Sequence, residues 1–247
     1  MGSVEGERPM GLLRSLALMF RAPRRGRGFW YSVAIDLIWP LLALSSRWRF
    51  RGELPATGPV VLASNHLSNA DPVSVTAFTL TRGRIPRYLA KSELWRVPVV
   101  GRVLAGGKHI PVTRGSAQAA DAYQHAVAAV RAGECVLFFP EAGFSDREDH
   151  WPSDRVKNGV ARVALETGAP VVPVVNWGTH RLLPAGAAFP RLTRPRIDIV
   201  AGDPVDLSDL AQRAVVDRAT LDEATKRIMH AITALLADLR GEQPPTR

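Results

Sequence analysis

From about residue 55 onward the chain alternates short apolar runs with longer stretches whose apolar positions recur at helical spacing. P-V-V-L-A-S (59–64), R-Y-L-A (87–90), H-I-P-V (109–112), C-V-L-F-F (135–139), V-V-P-V-V (171–175) and I-D-I-V (197–200) have the length and texture of buried strands. Between them, residues 116–132 place Ala119, Ala122, Tyr123, Ala126, Val127 and Val130 at helical spacing before Gly133. Residues 156–167 and 220–239 repeat that pattern. Strands alternating with helices predict an α/β sandwich with a largely parallel sheet flanked by helices. Ligands of such sheets lie beyond the carboxyl ends of the strands, so reactive residues are expected just after strands.

The first fifty residues read differently. Residues 10–21, M-G-L-L-R-S-L-A-L-M-F-R, set Arg14 and Arg21 seven apart among leucines, the pattern of an interfacial helix. After the basic knot Pro23-Arg24-Arg25-Gly26-Arg27 comes an apolar run, residues 29–46, interrupted by Asp36 and Pro40 and followed by Arg47, Arg49 and Arg51. A span needs ~20 apolar residues, and a central aspartate costs ~2.5–3.5 kcal/mol on insertion. These features predict a membrane-interfacial helical hairpin; the alternative is a helix packed on the domain's own core. Twin arginines before an apolar run also occur in export signals, but no A-x-A cleavage triplet follows here. The division expected is 1–51, a membrane-associating helical segment, and 52–247, the catalytic domain. A chain beginning near Arg51 is accordingly expected to keep its fold.

Charge sharpens this division. The net charge of +9 comes from 32 cations, only four of them lysines. Residues 1–51 hold nine arginines against Glu5, Glu7 and Asp36, leaving a modest excess for the remainder. A basic amino terminus on a nearly balanced body points to an anionic membrane surface and away from nucleic acid. The single cysteine, Cys135, lies in an apolar strand, where a packed core thiol is expected. It permits neither an internal disulfide nor a thiolate zinc site.

The first chemistry-bearing segment, A-S-N-H-L-S-N-A-D-P (63–72), follows a strand and opens a helix. His66 and Asp71 can meet across this tight loop as a general base and its orienting carboxylate. Asp71 before Pro72 is also a helix-capping signature, and both roles are compatible. Ser68 lacks the G-x-S-x-G surroundings of a hydrolase nucleophile.

Three further segments complete a set: G-K-H-I-P-V-T-R (107–114), F-F-P-E-A-G-F-S (138–145) and V-V-P-V-V (171–175). In order and spacing the four resemble the glycerophosphate acyltransferase superfamily, and within it the bacterial 1-acyl-glycerol-3-phosphate acyltransferases. The resemblance runs from about Val60 to Val175. It implies that His66, oriented by Asp71, takes the proton of an acceptor hydroxyl that attacks an acyl thioester, with no covalent enzyme intermediate. It further implies phosphate binding by Arg114, acceptor contacts by Glu141, close backbone approach at Gly143, and supporting substrate-binding roles for Lys91, Lys157 and Asn65. No cofactor or metal is implied; acyl-CoA, or an acyl carrier protein, enters as donor and a lysophospholipid as acceptor. The implied product is phosphatidic acid, made at the cytoplasmic face of the cell membrane by a peripheral or monotopic enzyme.

One departure stands out. Where the family has G-T-R-S, this chain has Ala142, Gly143, Phe144 and Ser145, so an aromatic ring replaces a phosphate-contacting arginine. Arg147 or Arg155 would have to substitute, or the acceptor is a different membrane lipid, such as a glycolipid or lyso-aminolipid. A catalytically silent membrane-binding module is the non-enzymatic alternative. His150, Asp146 and Asp149 follow no recognisable metal-ligand spacing.

Overall fold

The computed structural model describes residues 9–113, 118–145, 147–187, 189–213 and 215–245. The elements run α1 (Leu12–Arg21), α2 (Phe29–Ser45), β1 (Arg47–Arg51), β2 (Val60–Ser64), α3 (Asp71–Thr81), β3 (Pro86–Lys91), α4 (Pro98–Gly106), β4 (Ile110–Val112) and α5 (Gln118–Arg131). They continue with β5 (Cys135–Phe138), α6 (Gly159–Thr167), β6 (Val171–Trp177), α7 (Thr179–Leu182), β7 (Arg196–Ala201), α8 (Ser208–Ala211) and α9 (Arg218–Arg240). The strands form one sheet in the order β1-β7-β6-β2-β5-β3-β4. Every neighbouring pair is parallel except β6 with β7. The expected α/β sandwich is therefore the architecture observed.

The central strands are apolar throughout because both faces of the sheet are covered. Along β2, Val61 and Ala63 enter one core with α5, α6 and α9, while Val60 and Leu62 enter the other with α2 and α3. The alternation of side chains across the pleat thus feeds two cores from one run. Cys135 is buried in the second core, and desolvation pushes its thiol up to about 12, which leaves it unreactive.

The expected boundary after residue 51 cuts through the sheet. Arg47–Arg51 forms edge strand β1, in parallel register with β7 from Arg47↔Arg196 to Arg51↔Val200. Trp48 is fully buried, and the buried Arg49 guanidinium pairs with the carboxylate of Asp198. A chain beginning near Arg51 would lose all of these, so the expectation that it keeps its fold is corrected. Arginines at every second position had disguised the strand as a basic flank.

The helix α2 runs unbroken through Pro40 and packs on α1, α4 and β1. Its start is pinned where Gly28 N–H donates to Gly106 O at 2.8 Å; a Cβ on Gly28 would lie 2.7 Å from Gly106 Cα. Trp39, Leu42 and Ala43 face inward, whereas Phe29, Leu37, Leu41 and Leu44 are exposed on the outside. The alternative reading, a helix packed on the domain's own core, holds for the inner face, and the outer face is an exposed apolar surface. Asp36 also faces outward and pairs with Arg24 at 3.4 Å. No described helix is long and apolar enough to cross a membrane.

Candidate active site

The carboxyl end of β2 delivers the central feature. The chain leaves the sheet at Ser64, turns through residues 65–70 and enters α3 at Asp71, whose side chain folds back over the turn. Asp71 Oδ2 accepts from the backbone N–H of Leu67, from that of Ser68 at 2.8 Å, and from His66 Nδ1 at 2.8 Å. Asp71 is fully buried while the His66 side chain is 17% exposed. With Nδ1–H donated to the carboxylate, Nε2 is the nitrogen left with a lone pair. The imidazole is stacked on Phe139 at 4.3 Å and meets the edge of Phe144 at 4.6 Å. These rings fix its plane and exclude water from its faces. The capping reading of Asp71 is corrected: Ala70 is the N-cap, Asp71 is the first residue of α3, and its Oδ2 takes amides of the preceding loop and none of the helix.

Glu141 braces this loop from the next strand end. Its Oε1 accepts from His66 N–H at 3.0 Å and its Oε2 from Ser153 N–H at 2.8 Å, while Ser145 N–H donates to His66 O at 2.9 Å. Burial raises the carboxyl pKa to about 7 against the opposing pull of the two amide donors. Glu141 therefore holds the backbone of His66, a positioning task that its place in F-P-E-A-G did not announce. Ala142 adopts φ 52°, a left-handed conformation uncommon outside glycine, and a Cβ at Gly143 would meet nothing within 4 Å. Space is thus open around Gly143, and the residue in the left-handed region is its neighbour Ala142.

Asn65, expected to contact substrate, is buried instead. Its Nδ2 donates to Asn176 O at 3.1 Å and its Oδ1 accepts from Asn176 N–H at 2.9 Å. Asn176 returns a bond from its own Nδ2 to Asn65 O at 2.8 Å and accepts from Thr179 Oγ1 at 2.8 Å. This pair staples β2 to β6, so Asn65 serves the loop and its substrate role is corrected. Asn176 escaped sequence reasoning; a polar residue at the end of V-V-P-V-V was its available signal. Ser68 is likewise structural, since its hydroxyl donates to Leu183 O at 2.6 Å.

Lys91 is exposed at the end of β3, where its register partner is Val112 of β4. Arg114 lies outside the described residues, as does Asp146. Lys157 is exposed, and its N–H donates to Pro140 O at 2.9 Å, which ties its loop to the Glu141 turn. Arg147 forks onto Asp149, at 3.0 and 2.8 Å, and Arg155 is exposed beyond Ser153. Among the described residues no three of His, Cys, Asp and Glu gather as metal ligands.

The site thus holds a partly exposed imidazole on a buried carboxylate at the carboxyl end of a central parallel strand. A family model described as Acyltransferase matches residues 47–177, just over half of the chain, and the chain belongs to that family. Among its relatives is the chloroplastic 1-acyl-sn-glycerol-3-phosphate acyltransferase BAT2 of Brassica napus, 29% identical over 55% of this chain and 38% of that protein. The 1-acyl-sn-glycerol-3-phosphate acyltransferase of Borreliella burgdorferi is 30% identical over 52% of this chain and 49% of its own length. An N-acylphosphatidylethanolamine synthase of Arabidopsis thaliana is 28% identical over 66% of this chain and 62% of that protein. The chain thus matches about a third to three-fifths of these relatives' lengths. The crystal structure of the 1-acyl-sn-glycerophosphate (LPA) acyltransferase from Thermotoga maritima superposes with a TM-score of 0.59, covering 91% of this chain and 97% of that one. At 19% identity this likeness establishes a shared fold.

Proposed function

We propose that this protein is an O-acyltransferase that moves a fatty acyl chain from acyl-CoA to the free hydroxyl of 1-acyl-glycerol-3-phosphate, giving phosphatidic acid. The observation that carries the reading is the 2.8 Å contact between His66 Nδ1 and the buried Asp71 Oδ2, which leaves Nε2 of the partly exposed ring available as the base. His66 Nε2 takes the acceptor hydroxyl proton as the oxygen attacks the thioester carbonyl. The new C–O bond forms, the C–S bond breaks, and the proton passes from the imidazolium to the departing thiolate. Asp71 stabilises the imidazolium and fixes the ring tautomer. Lys91, Lys157 and Arg114 are the cations proposed to meet substrate phosphates, with Gly143 proposed to give the acceptor close backbone approach. Glu141 holds the base in place, and its unused lone pairs face the acceptor.

The outer face of α2, with the arginines before and after it, is proposed to lie in the headgroup layer of an anionic, cytoplasmic leaflet as a monotopic anchor. A second reading, an acceptor with a phosphodiester headgroup such as an aminolipid, is favoured by Phe144 beside His66 and by the likeness to an N-acylphosphatidylethanolamine synthase. The test is thiol release from palmitoyl-CoA with a panel of lysophospholipids, ethanolamine lipids and uncharged glycerides. Turnover with 1-acyl-glycerol-3-phosphate ahead of the others supports the first reading. Preference for an ethanolamine lipid supports the second. No turnover with any acceptor returns the silent module.

A further inference from the structure

Beside His66 a cleft of about 510 Å³ opens toward the segment that follows β6. Its near wall includes Leu67 and Phe144, respectively the residue after the proposed base and the ring packed against it. Its far wall includes His180, Arg181 and Arg191. A group bound between these walls therefore lies against Leu67 and Phe144, the two residues that flank the imidazole. The two walls are tied together, because Ser68 Oγ donates to Leu183 O at 2.6 Å and Arg191 N–H donates to Leu182 O at 2.7 Å.

The lining is strongly cationic. Arg147, Arg181 and Arg191 face one acid, Glu148, and Arg147 is already committed to Asp149. Arg181 and Arg191 are exposed, and among the described residues no ion pair reaches either guanidinium; Arg181 only overlies the Trp177 ring at 5.8 Å. The rings of His150 and His180 lie 4.3 Å apart, and the His180 Nδ1 is buried without a hydrogen-bond partner. Burial and neighbouring cations lower the His180 pKa to about 4, so this imidazole is neutral near pH 7 and the positive field comes from arginine. Two uncommitted planar forks in a concave site suit a tetrahedral oxyanion.

We propose that this cleft is a phosphate-recognition subsite in which Arg181 and Arg191 hold the phosphate of a substrate beside His66. The proposal rests on the acyltransferase reading above and names where that enzyme grips its substrate. Both substrates carry phosphate, but connectivity favours the acceptor. In a glycerophosphate only a few bonds separate the reacting hydroxyl from phosphorus, whereas in coenzyme A the whole pantetheine arm intervenes.

The test is the full-length Arg181→Ala/Arg191→Ala protein, assayed with palmitoyl-CoA and either 1-oleoyl-glycerol-3-phosphate or uncharged 1-oleoylglycerol in mixed micelles. We expect the KM for the phosphorylated acceptor to rise about tenfold or more, as for loss of a charge-assisted hydrogen bond. Its kcat, the palmitoyl-CoA KM and use of 1-oleoylglycerol should change little, and the corresponding double lysine variant should recover only part. A rise confined to the palmitoyl-CoA KM assigns the same phosphate subsite to the donor nucleotide. Unchanged KM values for both substrates overturn the proposal. If the wild type turns over no acceptor, calorimetric titration with water-soluble 1-hexanoyl-glycerol-3-phosphate still decides. Equal affinity of wild type and double variant, or no binding to either, overturns the subsite independently of the reaction.

Discussion

The loop after β2 and the α1–α2 layer are both short segments laid against the same sheet, yet they are finished in opposite ways. In the loop, Asp71 Oδ2, both Glu141 oxygens and the amides of Asn65 and Asn176 are engaged by protein partners, while Asp71 Oδ1 is buried without one. In the outer layer, Leu37, Leu41 and Phe29 stand in solvent, and the three guanidinium nitrogens of the buried Arg27 have no hydrogen-bond partner. A buried polar group without a partner costs about 1–3 kcal/mol, more when charged, so the first region is closed by the chain itself at all but one of these atoms. The second keeps its apolar outer face and the Arg27 guanidinium without such partners.

The largest effect should come from cutting the two regions apart. Removing residues 1–51 takes β1, Trp48 and Arg49 together, leaving Asp198 buried without its partner and β7 without its neighbour. Loss of a buried tryptophan costs ~3–5 kcal/mol and breaking a buried ion pair a similar amount. Their sum rivals the whole stability of a domain. We expect no soluble, cooperatively melting protein from a chain beginning at Gly52, and a folded one from a chain beginning at Pro9. A well-folded Gly52 chain would show that β1 is ornament and that the expected boundary was right.

Next comes the loop. His66→Ala should lower acyl transfer by ~10²–10⁴-fold with only a small loss of melting temperature, because Asp71 Oδ2 keeps the Leu67 and Ser68 amides when the ring is removed. Asp71→Asn should lose less rate but more stability, since its Oδ2 also holds the Leu67 and Ser68 amides. Equal rate losses with equal melting temperatures would erase the distinction between base and positioner.

How far the sequence foretold these regions follows from what each is made of. Six strands were legible because strands buried on both faces are written as apolar runs, and H-x-x-x-x-D together with F-P-E-A-G marked the turns at their ends. β1 was hidden because Arg47, Arg49 and Arg51 hold alternate positions, and the ion pair that helps make the inward Arg49 tolerable is with Asp198, distant in sequence. The backbone-holding roles of Asn65 and Glu141 were not legible in the sequence, for one reason. A polar residue beside a catalytic histidine looks the same in sequence whether it faces substrate or backbone. The continuity of α2 through Pro40 was equally invisible, since tertiary packing of Trp39, Leu42 and Ala43 overrides the local penalty of proline.

Glu141 offers a finer probe of the closed region. Its folded pKa of about 7 lies above the ordinary 4.5, so the folded state binds the proton more tightly than the unfolded state. The stability this gives is full below about pH 4.5 and is lost as pH rises through about 7, a change on the order of 3 kcal/mol. Histidines 109 and 180, lowered by burial to about 3 and about 4, contribute the opposite slope. The informative quantity is therefore the difference in melting temperature between wild type and Glu141→Gln, in which those slopes cancel. It should shrink by several degrees between pH 4.5 and 7.5. A difference independent of pH would mean that the carboxylate is ionised throughout.

The smallest effect tests the open region. Leu37 and Leu41, one helical turn apart and each 66% exposed, have no role in the core, so Leu37→Gln/Leu41→Gln should leave the melting temperature unchanged. If α2 lies in a headgroup layer, each leucine surrenders part of its ~1.5–3 kcal/mol of apolar transfer, and partition onto anionic vesicles should fall about tenfold. Raising salt separates this from the arginine contribution, because attraction between exposed charges is screened within about 10 Å at 0.1 M whereas apolar insertion is not. Wild-type protein should therefore remain largely bound in high salt while the double variant is released, and both should bind more tightly at low salt. Were the wild type stripped completely by salt, the arginines alone would hold the surface, and the exposed face of α2 would have to be covered by something other than lipid.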